Sequence, residues 1–376
     1  MYDDRIPDPR SDVGWDGPAR ARGGRVRLSW LSRETLVVLL VSGLVALVLS
    51  LKLELDEPPR GEPPRLGGHE ILLESLTLGA EGNVLISSGW DDTVRFWNLD
   101  PNAAEWGEEV LTLPQESHPY TLAPSRDGRY LAVGGVNHMA VWESAGDVWK
   151  QASSREGRDG RSLAFGPDSR TLAVGGEAGE VRLLAIPSLD EVAVLDGLTD
   201  KVHGIAFSPD GNWLAATSFR GELKLWDWRS GRPHPLPRRI DRVQCFAFTS
   251  DGRHIATAPW SGSEGPLEIW DLATGEAKLR IGHEGCNALT FSPDDGLLAA
   301  AGVDHSIKVW DVASGELHRS LDKDVGWVKT LLFTAEGTRL VYGGRDGSIR
   351  FWDLGEPGRG AAVGVAGPAP SKAKAG

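Results

Sequence analysis

The stretch "GSIRFWDLG", residues 347–355, is the last of a series. The chain has already written "HSIKVWDVASG" at 305–315, "PLEIWDLATG" at 266–275 and "GELKLWDWRSG" at 221–231. Each is a short run alternating polar and apolar residues, ending in Trp-Asp and followed by a turn. Aligned on these ends, the series extends to Trp97, Trp142, Leu184, Trp226, Trp270, Trp310 and Trp352, at intervals of 40–45 residues. Inside each unit an apolar run such as "HGIAFS" (203–208) leads into a turn such as "PDG" (209–211). A second run, "WLAATS" (213–218), and a second turn, "FRG" (219–221), then lead to the Trp run. Alternating runs of five to seven residues separated by Pro, Asp and Gly are antiparallel strands joined by hairpins. A four-stranded sheet of this size cannot bury both faces alone, so units of this period stack face to face and close into a ring.

The composition is consistent with that plan. The chain has 376 residues, of which 47 are glycine, and a net charge of −13. An acidic surface repels phosphate backbones, so no nucleic-acid groove is expected. The two cysteines, Cys245 and Cys286, provide neither a disulfide framework nor a cysteine-based zinc site, though one bridge between them stays open. The nine histidines show no metal-ligand spacing, and no Gly-x-Ser-x-Gly elbow or phosphate loop occurs. The expectation is therefore no catalytic residue, no metal and no cofactor.

The N-terminal sequence points to a membrane anchor. Residues 35–53 read "TLVVLLVSGLVALVLSLKL", and nineteen helical residues at ~1.5 Å each nearly span a bilayer core. Arg20, Arg22, Arg25, Arg27 and Arg33 precede this run, whereas Glu54, Asp56 and Glu57 follow it. Positive flanks stay in the cytosol. The expected organisation is a disordered cytoplasmic tail (1–34), one transmembrane helix (35–53) and a Pro-rich stalk (54–63). A propeller (64–356) outside the cytosol and a disordered tail (357–376) complete it.

The units resemble the WD40 repeat family, seven of them over residues 64–356. The resemblance implies an all-β, seven-bladed propeller. It also implies a hydrogen-bonded set in each blade: a His entering the first strand, a Ser or Thr on the second, an Asp in the next turn and the Trp on the third. The first unit matches at His69, Ser87, Asp91 and Trp97. The sixth keeps His283, Asp304 and Trp310 but has Ala300, and the seventh keeps Asp346 and Trp352. The third has Leu184-Ala185 for Trp-Asp, and the fourth has Arg220 at the turn Asp. No fourth strand follows Trp352, and "RLGGH" (65–69) is similar to "LRIGH" (279–283), so residues near 64–68 are expected to close the ring against the seventh unit.

Large aromatics recur at turns and strand entries: Trp90, Phe219, Trp260 and Trp327, with Arg345, Arg242 and Lys201 at matching places. Aromatics with arginine on a polar surface are the composition of binding hot spots. The expectation is a non-catalytic scaffold with a protein partner on that face and a lipid bilayer through 35–53. The alternatives are a propeller hydrolase or metal-dependent lactonase at the channel mouth, or a bacterial membrane sensor.

Overall fold

The computed structural model describes residues 65–355 apart from 147, 158–159, 236–241, 261–264, 284 and 323–324. The expected segments 1–34, 35–53, 54–63 and 357–376 lie outside these. Among the described residues there is no α-helix, and so none long and apolar enough to cross a membrane.

Seven four-stranded antiparallel sheets form the blades. The chain opens with a two-residue strand, β1 (Arg65–Leu66). Blade 1 holds β2 (Leu73–Leu78), β3 (Val84–Gly89), β4 (Thr93–Asn98) and β5 (Glu109–Pro114). Blade 2 holds β6 (Pro119–Pro124), β7 (Tyr130–Gly135), β8 (His138–Ala145) and β9 (Val148–Glu156). Blade 3 holds β10 (Leu163–Phe165), β11 (Thr171–Gly175), β12 (Val181–Ala185) and β13 (Asp190–Leu195). Blade 4 holds β14 (Val202–Phe207), β15 (Trp213–Ser218), β16 (Leu223–Asp227) and β17 (Arg232–His234). Blade 5 holds β18 (Val243–Phe248), β19 (His254–Pro259), β20 (Leu267–Asp271) and β21 (Ala277–Ile281). Blade 6 holds β22 (Cys286–Phe291), β23 (Leu297–Gly302), β24 (Ile307–Asp311) and β25 (Leu317–Leu321). Blade 7 holds β26 (Val328–Phe333), β27 (Arg339–Gly344) and β28 (Ile349–Asp353).

Blade 7 takes its fourth strand from the other end of the chain. Arg65 pairs with Arg350 and Leu66 with Ile349, which is the expected closure. The first strands β2, β6, β10, β14, β18, β22 and β26 neighbour one another in sequence, and β26 returns to β2. They therefore form the inner wall, with the later strands of each blade further out.

Period-two alternation explains the core. It consists of seven apolar clusters, one at each junction between consecutive blades. In β23, Leu298 and Ala300 face blade 5, whereas Ala299 and Ala301 face blade 7. Both faces of every sheet are thus buried, and the small residues of β23 fit where the blades converge. The hairpin between the first two strands repeats one device. Ser208 donates to Asp210 at 2.5 Å, Asp210 accepts the amide of Asn212, and Gly211 takes the left-handed φ of 77° that the turn requires.

Candidate functional site

The end of the ring where the first strands begin also carries the turns between second and third strands. One backbone bond recurs there. The amides of Trp90, Phe219, Trp260 and Arg345 donate to the carbonyls of Leu72, Lys201, Arg242 and Trp327. All seven residues expected to bind a partner therefore occupy two equivalent columns on one rim: Trp90, Phe219, Trp260 and Arg345 after the second strand, Lys201, Arg242 and Trp327 before the first.

Their environments differ. Trp327 is 50 % exposed, and Arg242 and Arg345 are exposed as well. Phe219 and Trp260 lie 6.3 Å apart around the ring of His203, and the Lys201 ammonium stands 4.8 Å over Phe219. Trp90 corrects the expectation of one continuous patch. It is only 6 % exposed, stacks on His118 at 5.3 Å, and donates its indole N–H to Glu74 at 2.7 Å. A buried indole N–H needs an acceptor, and Glu74 supplies it from the inner strand. No ring contact among the described residues joins Trp90 or Trp327 to the Phe219–Trp260 pair.

Glu74 belongs to a feature the sequence reading passed over. In six inner strands the register slips after the first residue: Leu73 pairs with Gly89, but Ser75 pairs with Ser88. The same slip occurs in β6, β14, β18, β22 and β26. In blade 3, Gly160 donates to the Gly175 carbonyl while the Gly175 amide donates to Ser162, leaving Arg161 as the extra residue. A bulge inserts one residue and re-aims its side chain. The seven residues so placed are Glu74, Tyr120, Arg161, His203, Gln244, Asn287 and Lys329, and every one is polar.

These side chains interact between blades. Lys329 of blade 7 lies 3.2 Å from Glu74 of blade 1, and the guanidinium of Arg161 covers the Tyr120 ring at 5.2 Å. Burial, with Lys329 and Arg161 adding positive charge, pushes the His203 imidazole down to about 4, so it is neutral at pH 7. Blades 4 and 7 are not neighbours, and the influence of Lys329 on His203 therefore acts across the ring axis. Burial raises the Tyr120 phenol, with Arg161 opposing it. The Gln244 Oε1 and the Trp260 indole nitrogen are buried without a hydrogen-bond partner among the described residues.

The turns of this rim rest on the hydrogen-bonded sets, and among the described residues only the blade 1 set is complete. His69 joins Asp91 through Nδ1 and Ser87 through Nε2, both at 2.8 Å, and the Trp97 indole donates to the Ser87 hydroxyl at 2.9 Å. Burial alone would raise the Asp91 carboxyl. The hydrogen bond and charge of His69, with Thr93 and Arg95, hold it well below the usual carboxylate range. In blade 6, where Ala300 replaces the hydroxyl residue, the set is not made. Among the described residues neither ring nitrogen of His283 meets a hydrogen-bond partner within bonding geometry, its ring meets Trp310 edge-on at 5.3 Å, and Asp304 is taken by Ser306 and Lys308. In blade 7, Asp346 accepts from Ser348 and Arg350, and Tyr342 stands opposite Arg350 where Ser87 stands opposite Arg95. No group of three or more His, Cys, Asp or Glu among the described residues could hold a metal ion.

Comparison with known proteins agrees with this architecture. The family model described as WD domain, G-beta repeat, matches residues 64–98, 189–227, 276–311 and 315–353. The chain thus carries WD40 repeats, arranged as a seven-bladed β-propeller. Each matched segment starts in the strand that completes one blade and ends with the third strand of the next, which is the phase that β1 closes. Relatives include apoptotic protease-activating factor 1 of Danio rerio, 27% identical over 62% of this chain and 18% of that protein. Periodic tryptophan protein 2 of Arabidopsis thaliana is 25% identical over 60% of this chain and 26% of its own length. Nuclear distribution protein PAC1 of Arthroderma otae is 28% identical over 45% and 39%. The chain spans less than two fifths of the length of each of these three.

Proposed function

We propose that the propeller is a non-catalytic scaffold whose rim, at the end bearing Trp327 and Arg345, docks a protein partner. The observation that carries this reading is Trp327. It is the one aromatic among the exposed large hydrophobic residues of the described chain, and its carbonyl accepts from Arg345. An exposed Trp beside Arg is a hot-spot composition, and folding gains little from leaving an indole in water. The similarity to WD40-repeat proteins supports the same reading. Trp327→Ala and Arg345→Ala are expected to leave the melting temperature within about 2 °C, since exposed positions change stability by only about 0.5 kcal/mol. Recovery of a site-specifically crosslinked partner should fall at least tenfold, in line with ~2–4 kcal/mol for a hot spot. Unfolding of both variants, with normal crosslinking by the folded remainder, would show that these side chains serve packing alone.

In this reading residues 35–53 tether the propeller to a bilayer, with 1–34 in the cytosol and the propeller outside. The support is the charge asymmetry about the apolar run, five arginines and no acid in residues 20–33 before it and three acids in residues 54–57 after it. Protease added to intact spheroplasts is expected to remove the propeller. Protection until lysis would reverse the assigned orientation, and recovery of the chain in the soluble fraction would remove the anchor.

A further inference from the structure

The inner-strand bulges repeat one backbone device seven times yet fill it with seven different side chains, all polar. A device that served only folding would be met by one solution repeated, as the leucine and phenylalanine positions of the same strands are. Here the charges do not balance. Glu74 is fully used: one oxygen accepts from Trp90 and the other faces Lys329. Arg161 has no carboxylate within ion-pair distance among the described residues, and its guanidinium lies over the Tyr120 ring. His203 is neutral. Two cations therefore face one carboxylate inside a ring of a protein whose net charge is −13.

On the rim, three turn acids are paired locally, Asp91 with Arg95, Asp304 with Lys308 and Asp346 with Arg350. Arg242 and Arg345, both exposed, have no carboxylate partner among the described residues. A guanidinium without a carboxylate partner keeps its N–H edge available, and that edge matches a carboxylate in a bidentate pair. Gln244, with a buried oxygen lacking a partner, adds an amide to the same ring.

We propose that the channel mouth receives an acidic side chain of a partner peptide, its carboxylate held by Arg161 with Lys329 alongside and its flanks steered by Arg242 and Arg345. This rests on the platform reading and narrows it to acidic segments. Charge complementarity selects this occupant: a basic side chain would meet Arg161 and Lys329 with its own sign, and an apolar one would leave the guanidinium edge desolvated and unpaired.

The test is selection of displayed random twelve-residue peptides on the full chain kept in mild detergent, followed by affinity measurements with labelled winners. Selected peptides are expected to share an Asp or Glu, and Arg161→Gln should weaken them at least tenfold. Arg161→Lys should fall between, and Arg253→Gln, in a turn at the far end of the ring, should bind as the parent does. Melting within about 2 °C for each variant would show that the fold is intact. Winners without a shared acid, or acidic winners that bind Arg161→Gln equally well, overturn this inference. If those winners still depend on Trp327, the platform stands; if no peptide is selected, or none depends on either residue, both readings fall.

Discussion

Ser87→Ala is expected to lower the melting temperature by about 5–10 °C. The Ser87 hydroxyl is fully buried, contacts His69 Nε2 at 2.8 Å and accepts from the Trp97 indole at 2.9 Å. Its removal orphans two buried polar atoms at once. Each costs ~1–3 kcal/mol, so the pair loses roughly 2–6 kcal/mol, several degrees for a domain of this size. Blade 6 provides the reciprocal experiment. Ala300 lies opposite Lys308 as Ser87 lies opposite Arg95, and both nitrogens of His283 are without a hydrogen bond among the described residues. Ala300→Ser should stabilise by about 1 kcal/mol if the hydroxyl restores the set. Thermal denaturation of the two variants decides the matter. A neutral Ser87→Ala would mean that packing alone holds blade 1 and that the hydrogen-bonded set contributes nothing.

The number of blades was legible because the Trp column and its turns recur with little drift. Even Leu184 keeps its place, since a third strand needs an apolar residue there more than it needs an indole. Closure was legible from an accounting of strands: Trp352 ends a third strand and nothing after it resembles a fourth. The inner ring was harder to see. Strict alternation puts Glu74 on the same face as Leu76, and only a register slip separates them. The signal existed in the seven first strands laid together. Their second position reads Glu74, Tyr120, Arg161, His203, Gln244, Asn287 and Lys329, while the fourth is always large and apolar. Trp90 was misplaced for a related reason. A turn position does not say whether an indole points out or folds back, and its acceptor is one of those unread bulge residues.

Deleting residues 60–68 should cost more than any point substitution, about 10 °C or more in melting temperature. β1 is short, but it occupies the only gap in the ring. It pairs Arg65 with Arg350 and Leu66 with Ile349, and Leu66 packs in the cluster that joins blade 7 to blade 1, with Leu73, Trp97, Ile349 and Phe351. Loss of a buried leucine costs ~2–5 kcal/mol, and each lost ladder bond about 1 kcal/mol more. Leu66→Ala, which keeps the backbone, should show the smaller, side-chain part of the effect. The deletion also uncovers the outer edge of β28 at Ile349 and Arg350, whose outward N–H and C=O groups become available to another chain. The shortened protein should therefore self-associate as its concentration rises, measured by sedimentation velocity, whereas Leu66→Ala should not. An unchanged melting temperature with no association would mean that the first and last blades hold the ring without their shared strand. The pairing of β1 with β28 would then be an accessory to closure and not its cause.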